Sequence, residues 1–407
     1  MKIDYIYSGI IKEIKIPDNS NIEIIQPNEV PTKNEKEVIQ NALNEKLPLF
    51  LKDVEKLLII VNDGTRATPT AKVIEELYPK IKDLDVTFIV ALGSHRKPTE
   101  EEFTKIFGKF YEIYKDNTVC HDARNDPMIE LGTTSRGTKV KVNKLAVEYN
   151  KILIISSVEP HYFAGYTGGR KSILPGISAY ETIEQNHALA LLPEAKIMQL
   201  EGNPVHEDML EAAAMLSTET WACLLVIDQD RRVFSAEFDK TNKAFSHTIP
   251  DANKVYKVPI KRPVDIVIGI IQPPLDSDLY QSHKGIENAR NVINTDGIFI
   301  LVSACRQGIG NDNFYKLLSS CTTPDEVFTR IKQQYKLGYH KAAKLIDFVQ
   351  NHQLWMVSEI PSDTLERIFI HSFNDLQSAV NEAIQIKGKD ADILVIHDAG
   401  IVVPGVK

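Results

Sequence analysis

Several things are scarce in this chain of 407 residues, and each scarcity removes a class of function. Its four cysteines, Cys120, Cys223, Cys305 and Cys321, lie far apart and none belongs to a C-x-x-C pair, so neither a disulfide framework nor a thiolate metal cluster is expected. Basic residues are not in excess: 47 Lys and Arg against 55 Asp and Glu leave a formal charge of −8, the wrong sign for a nucleic-acid surface. No apolar run approaches the roughly 20 residues needed to cross a bilayer. The opening Met1-Lys2-Ile3-Asp4-Tyr5 contains no apolar leader core. The expectation is a cytoplasmic protein that engages neither membrane nor nucleic acid. Low-complexity tracts, short-period repeats and heptads are also missing, and at 43% apolar and 25% charged the composition is that of a globular protein. The length exceeds one ordinary core, which predicts two domains.

What is present is an alternation of apolar runs and helical patterns. Strands are expected over 57–61, 86–92 and 152–155, and helices over 70–78, 99–107 and 179–191. The runs are continuously apolar rather than alternating, which implies a buried parallel sheet. Upstream, the short alternating runs 2–7, 13–16 and 22–26 predict a small antiparallel addition to the first domain, and 132–142 a loop-and-strand excursion. Two prolines and a basic cluster in Lys257-Val258-Pro259-Ile260-Lys261-Arg262-Pro263 mark a boundary. Beyond it, strands are expected over 264–270, 298–302, 354–357, 368–371 and 393–396, and helices over 285–292, 323–335, 339–349 and 376–386. The fold class is therefore α/β, with two domains, each a mainly parallel sheet flanked by helices. Their expected bounds are 1–258 and 259–407, the last residues being free to return to the first domain.

Five of the apolar runs end in a burst of glycine and functional side chains. They are Asn62-Asp63-Gly64-Thr65-Arg66, Gly93-Ser94-His95-Arg96, Glu159-Pro160-His161, Asp276 with Tyr280-Gln281-Ser282-His283-Lys284, and Arg306-Gln307-Gly308-Ile309-Gly310. Ligands of open parallel sheets bind at the carboxyl ends of strands, so five bursts from two domains predict an active site in the cleft between them. The densest segment follows Ile152-Leu153-Ile154-Ile155 and packs His161, Tyr162, Phe163, Gly165, Gly168, Gly169, Arg170 and Lys171 together. Gly165, Lys171 and Ser172 fit a phosphate-binding P-loop, but Arg170 stands where that motif needs glycine, which argues against a P-loop NTPase. Each residue alone has a plainer reading. Asp63-Gly64-Thr65 suits a turn and helix cap, His95 a loop histidine, His187 helix packing, and Lys284 with Arg290 a solvated face. His121, His206, His247, His340, His352, His371 and His397 have no company that suggests chemistry.

Taken in order, these blocks resemble the lactate racemase family. The match runs through Asp63-Gly64-Thr65-Arg66, Gly93-Ser94-His95-Arg96-Lys97-Pro98-Thr99 and Glu159-Pro160-His161-Tyr162-Phe163-Ala164-Gly165. It continues through Gly168-Gly169, Lys171, Leu174-Pro175-Gly176, Asn186-His187, Leu279-Tyr280-Gln281 and Lys284-Gly285. The resemblance implies a nickel-pincer nucleotide, a nicotinic-acid-derived mononucleotide, tethered to Lys171 as a thioamide, with His187 as the protein ligand to nickel. It implies His95 and His161 as alternating acid and base. It assigns Arg66, Gln281 and Lys284 to the substrate, and Asp63, Gly168, Gly169, Arg170 and Tyr280 to the cofactor and its surroundings. Arg170 has three roles open to it: the cofactor phosphate, a second acidic group on the substrate, or outward packing. His283, beside Lys284, is expected to be a source of specificity differences. The resemblance also implies cofactor-assembly proteins as partners, so protein made in a foreign host can lack the cofactor; oligomeric state is left open.

The implied activity is inversion of C2 in a small 2-hydroxy acid. The C2 proton is barely acidic, whereas removal as hydride, with a base taking the hydroxyl proton, leaves a planar keto acid. Return of hydride to the other face inverts the centre. Two proton-transfer groups on opposite sides are then needed, and histidine suits both roles near neutral pH. A guanidinium can grip the carboxylate throughout. Two other readings stand beside this one: a conventional divalent-metal enzyme with His95, His161 and His187 as ligands, and a non-catalytic binder of a small anion.

Overall fold

A computed structural model describes every residue except Asp18, Asn19, Thr65 and Lys407. The chain forms two compact units, Glu29–Val255 and a second built from Met1–Asn28 with Tyr256–Lys407. Among the described residues no helix is long and apolar enough to cross a membrane.

The Glu29–Val255 unit holds a six-stranded sheet in the order Val233–Lys240, Glu219–Ile227, Lys151–Ser157, Lys56–Asn62, Asp85–Ala91, Thr118–Cys120. All neighbours are parallel except the Val233–Lys240 edge. Lys56–Asn62 is first of these in the chain and sits centrally. The next two strands extend to one side; the chain then crosses back to lay Lys151–Ser157 on the other. Leu57 through Val61 and Ile152 through Ile155 are at most 1% exposed, because helices cover both faces. Those helices are specified locally. Glu100–Phe107 begins with a capping box between Thr99 and Glu102 and buries Phe103, Ile106 and Phe107. Thr70–Ile81 buries Val73, Ile74, Leu77 and Ile81, the spacing of one helical face.

The second unit holds six parallel strands in the order His371–Phe373, Gln353–Val357, Ile293–Val302, Val264–Ile270, Asp392–Ile396, Asn21–Ile25. Here the structure corrects the sequence expectation. Only Lys2–Tyr7 and Ile10–Lys15 form the antiparallel hairpin. Asn21–Ile25 instead pairs in parallel with Asp392–Ile396, matching Ile22 with Ile393 and Ile24 with Val395. Ile3, Tyr5, Ile14 and Ile16 join a core with Ile266, Ile268, Trp355 and Leu376. Residues 1–28 thus belong with the C-terminal half, because that is where their apolar face is buried. Nor do the last residues leave that half: Val403–Val406 pairs with Lys257–Ile260. The expected strand at 368–371 is displaced to His371–Phe373. The segment 192–256, for which no elements were expected, supplies helix Pro204–Ala214, strands Glu219–Ile227 and Val233–Lys240, and helix Thr241–Tyr256. The excursion is a hairpin of Met128–Thr133 with Lys139–Asn143.

Phe50 has no exposure and meets Trp221 at 5.6 Å and Phe238 at 5.7 Å between ring centroids. Phe50→Ala is expected to lower unfolding free energy by about 3–5 kcal/mol in urea titrations; a loss below roughly 1 kcal/mol would mean the cavity collapses.

Candidate active site

Reversal of strand order in the Glu29–Val255 sheet parts Lys56–Asn62 from Lys151–Ser157 at their carboxyl ends, the position where such sheets bind ligands. Hydrogen bonds join the two ends. The Thr68 and Ser157 hydroxyls lie 2.8 Å apart, and Thr68 Oγ1 lies 2.9 Å from Asn62 Oδ1. Ser157 donates to Glu159 Oε1 at 3.2 Å, and the Glu159 amide donates to Thr167 Oγ1 at 2.8 Å. Arg66 Nη1 stands 3.7 Å from Glu159 Oε2. In the Asp63-Gly64-Thr65-Arg66 block, Thr65 lies outside the described residues. Gly64 is packed on Glu102, whose Cδ would be 2.9 Å from an added Cβ.

His95 Nδ1 lies 2.7 Å from Asp63 Oδ2, and that carboxyl is buried while the imidazole is partly exposed. A carboxylate acceptor at Nδ1 keeps a proton there. His161 is buried, and its Nδ1 accepts from the Ala164 amide at 3.3 Å. An N–H donor at Nδ1 puts the neutral ring's proton on Nε2. The two rings are therefore held at Nδ1 by partners of opposite kind, a carboxylate acceptor at His95 and a backbone donor at His161.

Phe163 ties the remaining side chains together. Its ring centroid is 4.5 Å from that of His161, 5.0 Å from that of His187 and 5.5 Å from Lys171 Nζ. Lys171 is half-buried, and loss of water, then the charges of Arg66 and Arg170, hold its amine well below the ordinary lysine range. A neutral amine is the nucleophilic form, which suits a covalent anchor. Gly168 and Gly169 precede it with φ of +85° and +55°, and an added Cβ on Gly168 would stand 2.8 Å from Val158 Cγ2.

Arg170 departs from expectation. It is fully buried and spends its donors on the loop's own carbonyls and on His206 Nδ1, which accepts from Nε at 3.0 Å. It neither packs outward nor is aimed at a phosphate or a second acidic group, because its inward donors are already engaged. Sequence reasoning also passed over Asp208, a fully buried carboxylate that accepts from Thr134 (2.6 Å), Thr138 (2.9 Å) and Asn186 (2.8 Å). Asn186 precedes His187 in helix Tyr180–Ala188, so Asp208 anchors that helix to the Lys139–Asn143 hairpin.

In the second unit, Asp278 caps the short helix Leu279–Ser282 by accepting from the Gln281 amide at 2.8 Å. Lys284 Nζ donates to Gln281 Oε1 at 2.7 Å, so these two side chains meet. Buried Lys341 donates to the Tyr280 carbonyl and lies 3.9 Å from the centroid of its ring. His283 has no exposure, and burial, then Lys341, Arg290 and Lys344, push its imidazole well down; it faces the interior, which removes it as a specificity element. Among the described residues no group of three or more His, Cys, Asp or Glu is gathered as a metal-ligand set, so His95, His161 and His187 do not form the three-ligand site of the conventional-metal reading.

Residues 7–198 match the lactate racemase N-terminal domain, and residues 260–403 the lactate racemase C-terminal domain. The lactate racemase of Thermoanaerobacterium thermosaccharolyticum is 30% identical over 383 residues, covering 90% of this chain and 89% of its own. That of Lactiplantibacillus plantarum is 26% identical over 391 residues, covering 91% of each. The structure of the T. thermosaccharolyticum lactate racemase apoprotein superposes with a TM-score of 0.90 at 29% identity, covering 100% of both chains. A Thermotoga maritima protein shares the fold, with a TM-score of 0.76 at 20% identity over 93% of this chain and 100% of its own.

Two measurements probe the supports of this site. Asp208→Ala strands three buried donors and should cost roughly 2–5 kcal/mol in thermal or chemical unfolding; a near-neutral result would mean water replaces the carboxylate. Burial, then Arg170, push His206 down to about 3. Since that is below its unfolded value of about 6.5, its contribution to stability is complete above that pH and lost as pH falls toward the folded value. Acid unfolding of His206→Gln should lack this component; an unchanged acid limb would assign the titration elsewhere.

Proposed function

The chain belongs to the lactate racemase family and is an isomerase of the racemase type; from that premise we propose that it inverts C2 of a small 2-hydroxy acid by reversible hydride transfer to a nickel-pincer nucleotide tethered to Lys171. The observation that carries this reading is the Phe163 ring, which has the proposed acid/base His161, the proposed anchor Lys171 and the proposed nickel ligand His187 around it. Lys171 fits an anchor because burial, then the charges of Arg66 and Arg170, hold its amine toward the neutral form. Gly168 and Gly169 are assigned to the cofactor on the resemblance; their positive φ and lack of side chains let the turn before Lys171 pack against Val158 and Phe245. Lys171 and His187 would hold the cofactor, which when bound would supply the reversible hydride acceptor that the side chains of the site lack.

The chain's own residues do the rest. Arg66 holds the substrate carboxylate, its charge kept near the site by Glu159. Gln281 and Lys284 are assigned to the substrate, and Tyr280 to the cofactor, on the resemblance. One histidine, neutral, takes the hydroxyl proton, and the other, as imidazolium, gives one up as the opposite enantiomer forms; roles and charge exchange in the reverse direction. Asp63 fixes the His95 ring and its tautomer. The substrate class is the small 2-hydroxy acids, lactate being the one named for both curated relatives. Cofactor-assembly proteins are the partners this chemistry requires. The four cysteines are free, which suits a reducing cytoplasmic setting.

Protein co-produced with cofactor-assembly proteins should carry an intact-mass adduct that peptide mapping assigns to Lys171. Lys171→Ala should lose the adduct, and its racemisation should fall to background in chiral chromatography. His95→Asn and His161→Asn should each lose about 10²–10⁴ in kcat while keeping the adduct. Full racemisation by Lys171→Ala would overturn the tether.

A further inference from the structure

Arg170 has no exposure, and none of its partners among the described residues is a carboxylate. An uncompensated buried cation is expensive, so what its guanidinium meets instead identifies its work. Nη2 donates to the Ala164 carbonyl at 2.8 Å and the Tyr166 carbonyl at 2.9 Å. Nη1 donates to the Thr167 carbonyl at 3.4 Å and the Gly168 carbonyl at 3.1 Å. Two further donors complete the row: Asn203 Nδ2 reaches the Phe163 carbonyl at 2.9 Å, and the Met198 amide the Gly165 carbonyl at 3.0 Å. Every carbonyl from Phe163 to Gly168 is thereby held, four of the six by this one side chain.

The guanidinium is itself fixed from behind. Phe245 lies under it at 4.1 Å, and His206 Nδ1 accepts from Nε at 3.0 Å. His206 stacks on Phe245 with centroids 5.9 Å apart and rings inclined by 28°. Accepting at Nδ1 requires an unprotonated imidazole nitrogen, and burial together with Arg170 keeps His206 neutral at ordinary pH.

We propose that Arg170, seated on His206 and Phe245, is a positioning residue for the reaction: it touches neither substrate nor cofactor, but its planar fork fixes the backbone from Ala164 to Gly168 and so the spacing between His161 and Lys171. The part concerning the reaction rests on the function proposed above; the part concerning the loop does not. A lysine has one nitrogen on a flexible stem and cannot reproduce four bonds in one plane. His161 and Lys171 bracket the held carbonyls, so slack between them alters the distance from proton donor to cofactor anchor, and misplacement of that kind lowers turnover more than binding.

The test uses the full chain. Amide hydrogen exchange by mass spectrometry is measured on cofactor-free wild type, Arg170→Lys, His206→Leu and His206→Gln. Arg170→Lys should raise exchange across 161–171 by about tenfold or more while Lys56–Asn62 and Asp85–Ala91 keep their protection. His206→Leu, which removes only the acceptor behind the guanidinium, should loosen the same segment less, and His206→Gln, which keeps an acceptor, should stay near wild type. In cofactor-loaded enzyme, Arg170→Lys should lower kcat by about 100-fold with KM within roughly threefold. Wild-type protection of 161–171 in Arg170→Lys would overturn the proposal. If Arg170→Lys unfolds globally, His206→Leu decides: unchanged loop exchange there overturns it too. Failure to find an adduct on Lys171 would sink the function proposed above while leaving the exchange result standing.

Discussion

Parallel pairing on both sides of Lys56–Asn62 is the constraint around which the Glu29–Val255 unit is organised. A parallel neighbour cannot be reached by a tight turn, so each crossover returns the chain to the same starting edge and every carboxyl end collects at the other. The chain builds outward through Asp85–Ala91, then crosses back to place Lys151–Ser157, and between those two central strands the crossovers diverge. Asp63 emerges from one side of that parting; Glu159 and His161 emerge from the other. The strands themselves could not have carried such side chains, since both faces are covered and Ile59, Ile60, Leu153 and Ile154 have no exposure. Polar function is therefore pushed to the strand ends, where backbone can turn and side chains can find partners.

Charge burial follows from the same arrangement. The segment after Lys151–Ser157 folds back on its own sheet, and its carbonyls turn inward, where water cannot satisfy them. Arg170 answers that need with donors rather than with charge neutralisation. Its positive charge remains and adds to burial, which is the larger cause, in holding His206 neutral and, with Arg66, in biasing Lys171 toward its neutral amine. A carboxylate in place of His206 would have neutralised Arg170 and removed part of the bias on Lys171. In the second unit buried Lys341 likewise meets a backbone carbonyl, that of Tyr280, and the face of its ring.

The strand-end bursts were legible because a continuous apolar run that stops at Asn62-Asp63 or at Glu159-Pro160-His161 admits few readings: the interior has ended and something polar is required. The fold class was legible for the same reason. Pairing partners were not. Ile22 and Ile24 alternate as any half-buried strand would, and nothing local indicates that Ile393 and Val395 lie beside them. The strand Glu219–Ile227 was missed although Trp221 through Ile227 is apolar and Asp228 begins a turn, a signal that was there to read. Arg170 could not be read at all. In an irregular loop no periodicity fixes where a side chain points, and a basic residue among glycines suggests an anion site unless one knows that the carbonyls face inward. Asp208 was hidden likewise: its partners Thr134, Thr138 and Asn186 come from elements distant in sequence, so only the folded chain reveals a buried acid held by neutral donors.

A racemase sets a problem that its scaffold cannot solve by symmetry. Its two substrates are mirror images, but a chain of L-residues has no mirror plane, and the two proposed acid/base groups differ in kind. His95 has a carboxylate at Nδ1 and partial exposure; His161 has a backbone amide at Nδ1 and is buried beneath aromatic rings. Thermodynamics tolerates this, because an equilibrium constant of unity between enantiomers constrains only the ratio of kcat/KM in the two directions. The individual kcat and KM values are free to differ. Asymmetry at Nδ1 therefore shifts which step limits each direction without shifting the equilibrium, and the protein has to keep both histidines placed rather than make them alike. A loop whose carbonyls are held one by one from Phe163 to Gly168 meets that requirement on the His161 side, and the Asp63 carboxylate meets it on the His95 side.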